Sequence, residues 1–404
     1  MIILGIETSC DETAAAVVCD GVEILSNVVV SQIDIFAEYG GVIPEVAARS
    51  HLEVMMPVVD KALKDASCTW NDIDAIAVTH APGLLGSLLI GTLTARTLAI
   101  LHNKPLYAVH HLKSHVYANW LGSTESKNTP LRNAPSHPSL RGSVAPRWPR
   151  RQTCSSEEYS LDSNHPLFPL LALVVSGGHT QILYMPGHNQ FEIVGTTHDD
   201  AVGECFDKVA KILGLPYPGG PSIAKAALKG DEEKYKLPHP KVEGLDFSFS
   251  GLKTAVLRAV QKEVGVPISY PSHKLKELLT EQQVCDFAAS FQKTAVEILA
   301  EKLEKALERF PDTKSVVVAG GVSANEKLKE ELEKTFCRER SGALAQVLLP
   351  PESISSSSIY FPAPSLSGDN GAMVAAAAFY EIQSGVEPTD PYSLNIYPRI
   401  SIEN

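Results

Sequence analysis

The chain has 404 residues, 44% of them hydrophobic, with 35 Lys and Arg against 47 Asp and Glu and a formal net charge of −12. That length supplies core for two or three domains, and the acidic balance disfavours broad, non-specific nucleic-acid binding while leaving room for a local basic patch or a basic partner. No apolar run reaches the ~18 residues of a membrane span and no cleavable or Arg/Ser-rich presequence precedes the first strand, so a cytoplasmic protein without membrane contact is expected.

The chain opens on a strand over 2–6, and a turn dense in hydroxyls and acids, Thr8-Ser9-Cys10-Asp11-Glu12-Thr13, leads to strands over 14–18 and 24–30. Backbone N–H and hydroxyl groups of such a turn can face phosphate oxygens; a plain polar β-turn is the alternative. Asp11 and Glu12 are the telling residues, because a phosphate-facing turn gains from acids only where a cation or a proton transfer is involved. Helical spacing follows over 44–64 and 86–101, with a strand over 73–79 between them.

His111-Leu112-Lys113-Ser114-His115 places two histidines one helical turn apart, where both rings can converge on one ion. A carboxylate supplied by the fold would complete a 2-His-1-carboxylate set with open positions. Without it, the pair reads as a solvated face or a satisfied core pair. A zinc peptidase is disfavoured, since its H-E-x-x-H mechanism needs an acid between the histidines and none is present.

Residues 123–165 are rich in Ser, Pro, Asn and Arg and read as a long loop or insertion. Within 123–151 they hold six basic residues, Lys127, Arg132, Arg141, Arg147, Arg150 and Arg151, against the single acid Glu125, with Trp148 among the arginines. That composition suits single-stranded RNA stacking, against the plainer reading of a solvated loop.

A strand over 170–176, a Gly177-Gly178-His179 turn and a strand over 181–184 repeat the opening pattern. Paired glycines allow φ > 0 and close backbone approach to a ligand. Helices follow over 204–213, 222–227, 250–264, 280–309 and 324–336, with a strand over 315–319. Gly219-Gly220 and Gly320-Gly321 each open a helix, the place where an anion is best received. Asp207 is a candidate for ribose hydroxyls, or a surface ion pair. Residues 338–358 form a second irregular stretch, and Asp369 precedes a last helix over 371–384, as a plain N-cap or as the missing metal carboxylate. Seven cysteines, at 10, 19, 68, 154, 205, 285 and 337, form no C-x-x-C pair, which fits reduced thiols and argues against a zinc ribbon. The repeated β-β-β-α-β-α order is the layout of an α/β actin-like (ASKHA) fold, two ribonuclease-H-like halves around a central cleft. The expected halves are 1–118 with 371–404, and 119–370.

Ten motifs in order carry a resemblance: 5–13, Gly41–His51, Ala81–Leu88, His111–His115, Val175–Thr180, Phe206–Lys208, Tyr217–Gly220, Phe249–Thr254, Gly320–Asn325 and Asp369–Met373. Together they resemble the bacterial TsaD family, tRNA threonylcarbamoyladenosine transferases formerly labelled O-sialoglycoprotein endopeptidases. The resemblance implies iron(II), with zinc or magnesium as in vitro substitutes, held by His111, His115 and Asp369. It implies that Val174, Val175, Ser176, Gly177, Gly178, Asp207, Gly220 and Asn325 contact threonylcarbamoyl-adenylate, whose acyl group goes to the adenosine beside the anticodon in tRNAs reading codons that begin with A. Implied partners are tRNA, the shortened paralogue TsaB and the ATPase TsaE. Ala81 replaces the first glycine of a Gly-Pro-Gly turn, harmless unless φ there is positive, and Val174 stands where archaeal and eukaryotic relatives carry a tyrosine. Glu12 or Asp11 is expected to take the proton of the attacking amine. The competing readings are a small-molecule kinase of the same superfamily and a catalytically silent scaffold.

Overall fold

The computed structural model describes residues 1–122, 165–341 and 358–403. The segments 123–165 and 338–358, and with them the basic run around Trp148, lie outside the described residues except at their edges.

Two five-stranded sheets share one plan. The first comprises β1 (Ile2–Glu7), β2 (Glu12–Cys19), β3 (Glu23–Ser31), β4 (Ala75–Ala81) and β5 (Leu106–His110), in the order β3-β2-β1-β4-β5. The second comprises β6 (Leu170–Val175), β7 (Thr180–Met185), β8 (Glu192–Thr196), β9 (Ser315–Ala319) and β10 (Ser358–Tyr360), in the order β8-β7-β6-β9-β10. In each sheet three consecutive strands pair antiparallel, then a fourth and a fifth add parallel on the other side of the first. This is the doubled unit expected of an actin-like fold.

Both faces of both sheets are covered, which is why the central strands are apolar almost without interruption. Leu171, Leu173 and Val175 point into a core shared with α5 (Val202–Leu213), α7 (Ser250–Glu263) and α8 (Glu281–Arg309). Leu170, Ala172 and Val174 point the other way, into a core shared with α4 (His111–Tyr117) and α10 (Gly371–Gln383). Leu4 and Ile6 of β1 face a third core with α2 (Pro44–Asp65) and α3 (Leu85–His102). The remaining helices are α1 (Ile33–Tyr39), α6 (Gly219–Ala227) and α9 (Glu326–Ser341).

The sequence predicts β1–β4, β6, β7 and β9 and misses β5, β8, β10 and α1; α9 starts two residues later than predicted and runs five residues past Phe336, to Ser341. Among the described residues α3 is one helix of 18 residues, long and apolar enough by length and composition to cross a membrane, although Thr92, Thr94, Arg96 and Thr97 interrupt its apolar residues. Ala95, Leu98 and Ala99 are buried in the core over the first sheet and Leu88 is buried as well, whereas Leu85, Leu89, Leu93, Ile100 and Leu101 are exposed.

Candidate metal centre and nucleotide cleft

Strand β5 runs directly into α4, so His110 is the last strand residue and the helix cap, and His111 the first helical residue. Burial holds the His110 imidazole down to about 3, so it is neutral and its Nδ1 accepts the Leu112 N–H at 3.3 Å. This cap starts the helix at the point where residues 111 and 115 face the same way. Both are buried, His111 at 7% and His115 at 1% exposure. Asp369 arrives from the segment before α10. The cap of that helix is Asn370, whose side chain accepts the Met373 N–H at 3.0 Å. The capping duty therefore falls to Asn370 and leaves the Asp369 carboxylate for the histidines.

Asp369 Oδ1 lies 3.1 Å from His115 Nε2 and 3.6 Å from His111 Nε2. One ligand atom from each of the three residues falls within 4.8 Å of the others. Neither ring nitrogen of buried His115 makes a hydrogen bond of acceptable geometry. Beyond the Asp369 contact the buried ring has no well-formed hydrogen bond, which is costly, and a cation bound at Nε2 would remove part of that cost. The donor set of two imidazoles and a carboxylate fits a borderline divalent metal. Burial lowers the basicity of His111, but the carboxylates of Asp369 and Glu7 outweigh it and push the imidazole up to about 9. The same histidines hold Asp369 down to about 2 against the opposing effect of its burial. His111 also turns Nδ1 toward Glu7 Oε2 and Ser9 Oγ, both at 3.2 Å. Sequence reading assigned no role to Glu7, since a single acid at a strand end carries no signal.

The turn after β1 is pinned from three sides. Leu84 N–H donates to Ser9 O at 2.8 Å, Ser87 Oγ to Cys10 O at 3.1 Å, and His51 Nε2 lies 2.9 Å from the same carbonyl. These contacts explain why the 41–51 and 81–88 motifs accompany the turn. Ala81 sits buried in β4 and is absent from the residues with positive φ, so its substitution for glycine is harmless. Burial, with Asp369 and Asp11 close by, pushes the Glu12 carboxyl up to about 10. Asp11, Glu12 and Asp369 therefore share one electrostatic neighbourhood.

The turn after β6 closes on Ser176, whose N–H donates to His179 O at 2.8 Å while its Oγ accepts the His179 N–H at 3.1 Å. Val174 and Val175 are fully buried in opposite cores, so only their backbone can reach a ligand. Gly177 and Gly178 do not adopt the positive φ that paired glycines suggest; a Cβ at either would meet nothing within 4 Å. They leave an open, exposed backbone. Burial, and to a lesser degree the nearby His111 and His115, hold His179 down to about 4, with Asp369 opposing them.

Asp207 on α5 accepts the Gly219 N–H at 2.6 Å, which ties the start of α6 to α5. Gly219 is required there, because a Cβ would sit 2.5 Å from the Asp207 backbone, whereas Gly220 opens onto free space. Burial, and to a lesser degree Asp11, raise the Asp207 carboxyl, so the β1 turn is near enough to α5 for its charge to be felt there. Tyr217 is raised in the same way, by burial first and then by Asp11 and Asp207, which adds a residue that motif reading left without a role. The Asn325 side chain is spent locally: Oδ1 accepts from Lys327 and Leu328 N–H at 3.0 and 3.2 Å, and Nδ2 donates to Gln292 Oε1 at 3.0 Å.

The profile of the tRNA N6-adenosine threonylcarbamoyltransferase family TsaD matches residues 23–134 and 155–376. A tRNA N6-adenosine threonylcarbamoyltransferase of Symbiobacterium thermophilum is 43% identical over 402 residues, covering 99% of this chain and 97% of that protein. One from Thermomicrobium roseum is 42% identical over 394 residues, covering 96% and 93%. Among solved structures, the activator of 2-hydroxyisocaproyl-CoA dehydratase from Clostridium difficile aligns with a TM-score of 0.44 at 12% identity, over 96% of this chain and 99% of that one. By the family match and these full-length relatives, the chain belongs to the tRNA N6-adenosine threonylcarbamoyltransferase (TsaD) family.

Proposed function

We propose that His111, His115 and Asp369 hold one ferrous ion beside a cleft that binds threonylcarbamoyl-adenylate. The observation that carries the reading is the approach of one ligand atom from each of the three residues to within 4.8 Å of the others. Family membership makes the protein an acyltransferase acting on N6 of a tRNA adenosine. The acceptor is the adenosine next to the anticodon in tRNAs reading codons that begin with A. When bound, the ion is a Lewis acid that spreads charge on the phosphate. Backbone N–H groups at the exposed Gly177 and Gly178 and at Gly220 receive the phosphate oxygens. Contacts of Val174, Val175 and Ser176 with the substrate run through their backbones. Asp207 holds the ribose hydroxyls. Asn325 caps the start of α9 and would contact the substrate by exchanging its bond to Gln292 for one to the ligand.

In the transfer, the N6 amine attacks the carbamoyl carbon, the bond from that carbon to the phosphate oxygen breaks, and AMP departs with the electron pair. The amine proton passes to the Asp11–Glu12 pair. Two acids that close share a proton, because both cannot ionise cheaply.

TsaB and TsaE are the proposed partners, and the cytoplasm, where tRNA is modified, the proposed location. The halves 1–118 with 371–404 and 119–370 are proposed on the packing of α10 against β1 and β2. A kinase and a silent scaffold have no observation in their favour. The test is mass spectrometry of tRNA nucleosides after incubation with threonylcarbamoyl-adenylate, TsaB and TsaE. Threonylcarbamoyladenosine in the anticodon loop is expected; its absence with every component present would refute the reading.

A further inference from the structure

Glu7 closes β1 with no exposure to solvent. Both of its carboxylate oxygens are engaged. Oε1 accepts the Ser9 N–H; Oε2 accepts the Thr79 hydroxyl at 2.6 Å and lies 3.2 Å from His111 Nδ1. Burying an acid costs several kcal/mol unless it is paired and fully hydrogen-bonded. Among the described residues its one ion-pair partner is His111. Thr79 stands on β4, which pairs with β1, so the carboxylate is clamped between two strands of a rigid sheet.

We infer that Glu7 is a positioning residue for the metal centre: it accepts the His111 Nδ1–H and so fixes the tautomer and ring plane that aim Nε2 at the Asp369 side. The inference rests on the metal reading above. Nδ1 faces Glu7 while Nε2 lies 3.6 Å from Asp369, so the two ring nitrogens have separate partners on opposite edges. A carboxylate behind a ligating imidazole makes the distal nitrogen more basic and removes the entropy of ring rotation. Ser9 Oγ is also 3.2 Å from Nδ1, but a hydroxyl accepts less strongly than a carboxylate, and Glu7 takes the proton bond.

The test is competition for Zn²⁺ against a chromophoric chelator, with purified full-length wild type, Glu7→Gln and Ser9→Ala. Wild type is expected to take up one zinc, Glu7→Gln to bind it about 10- to 100-fold more weakly, and Ser9→Ala to stay close to wild type. Equal affinity of Glu7→Gln and wild type overturns the inference and leaves the metal centre standing, whereas a wild type that binds no zinc removes the metal centre itself. Should Glu7→Gln fail to fold, nitrogen-15 spectra of the zinc-loaded wild type decide. The expected signature is a protonated His111 Nδ1 with zinc at Nε2; zinc at Nδ1, or an unprotonated Nδ1, overturns the inference.

Discussion

Asp369 Oδ1 stands 3.1 Å from His115 Nε2, although one residue precedes α10 near the end of the chain and the other lies in the short helix after β5. The fold brings them together because α10 packs on β1 and β2 and also against α4. The metal site is therefore a property of how α10 seats, as much as of the histidines.

That seating depends on glycine. A Cβ on Gly371 would lie 2.6 Å from Ala16 N, and one on Gly5 would lie 2.2 Å from Gly371 O, backbone against backbone. Gly371→Ala is expected to push the start of α10 off the sheet, costing about 1–3 kcal/mol in a denaturant titration, and to weaken metal binding by displacing Asp369. Gly251→Ala, which opens onto free space, is the control and should show neither effect.

His111 carries a proton in the metal-free protein at neutral pH, because Asp369 and Glu7 overcome its burial and raise it to about 9. A metal binds the neutral imidazole and must displace that proton. Affinity for Zn²⁺ is expected to rise about tenfold per pH unit between pH 7 and 8, flattening near 9. Calorimetry in buffers of different ionisation enthalpy should find one proton released at pH 7; a pH-independent affinity would contradict the assignment.

Glu12 titrates in the folded metal-free protein near 10 rather than at the usual 4.5, through burial and its acidic neighbours. The folded state thus binds more protons than the unfolded one between these values, and stability falls as pH rises through that window. Glu12→Gln removes the penalty. At pH 7.5 the metal-free variant is expected to be more stable by about 4 kcal/mol, with the gain vanishing near pH 4.5. Urea unfolding at several pH values measures it, and a gain independent of pH would point to a packing effect instead.

The histidine pair was legible because two residues one turn apart on a helix need no tertiary knowledge to be placed together. Asp369 became legible only through family resemblance: sequence alone allows it as a helix cap, and the structure gives that task to Asn370. Glu7 was illegible because its partners, Thr79 and His111, come from β4 and α4, far along the chain. The missed strands β5, β8 and β10 all lie at sheet edges and run only 5, 5 and 3 residues, too short to show a period. The glycines of the 177–178 turn were picked out for a conformation they do not adopt. What they supply is open, exposed backbone.

The most direct measurement is anomalous diffraction at the iron edge from crystals of the protein loaded anaerobically with Fe²⁺. One peak in bonding contact with His111 Nε2, His115 Nε2 and the Asp369 carboxylate is predicted, abolished by Asp369→Ala. A peak elsewhere, or iron retained at this place in Asp369→Ala, would contradict the account.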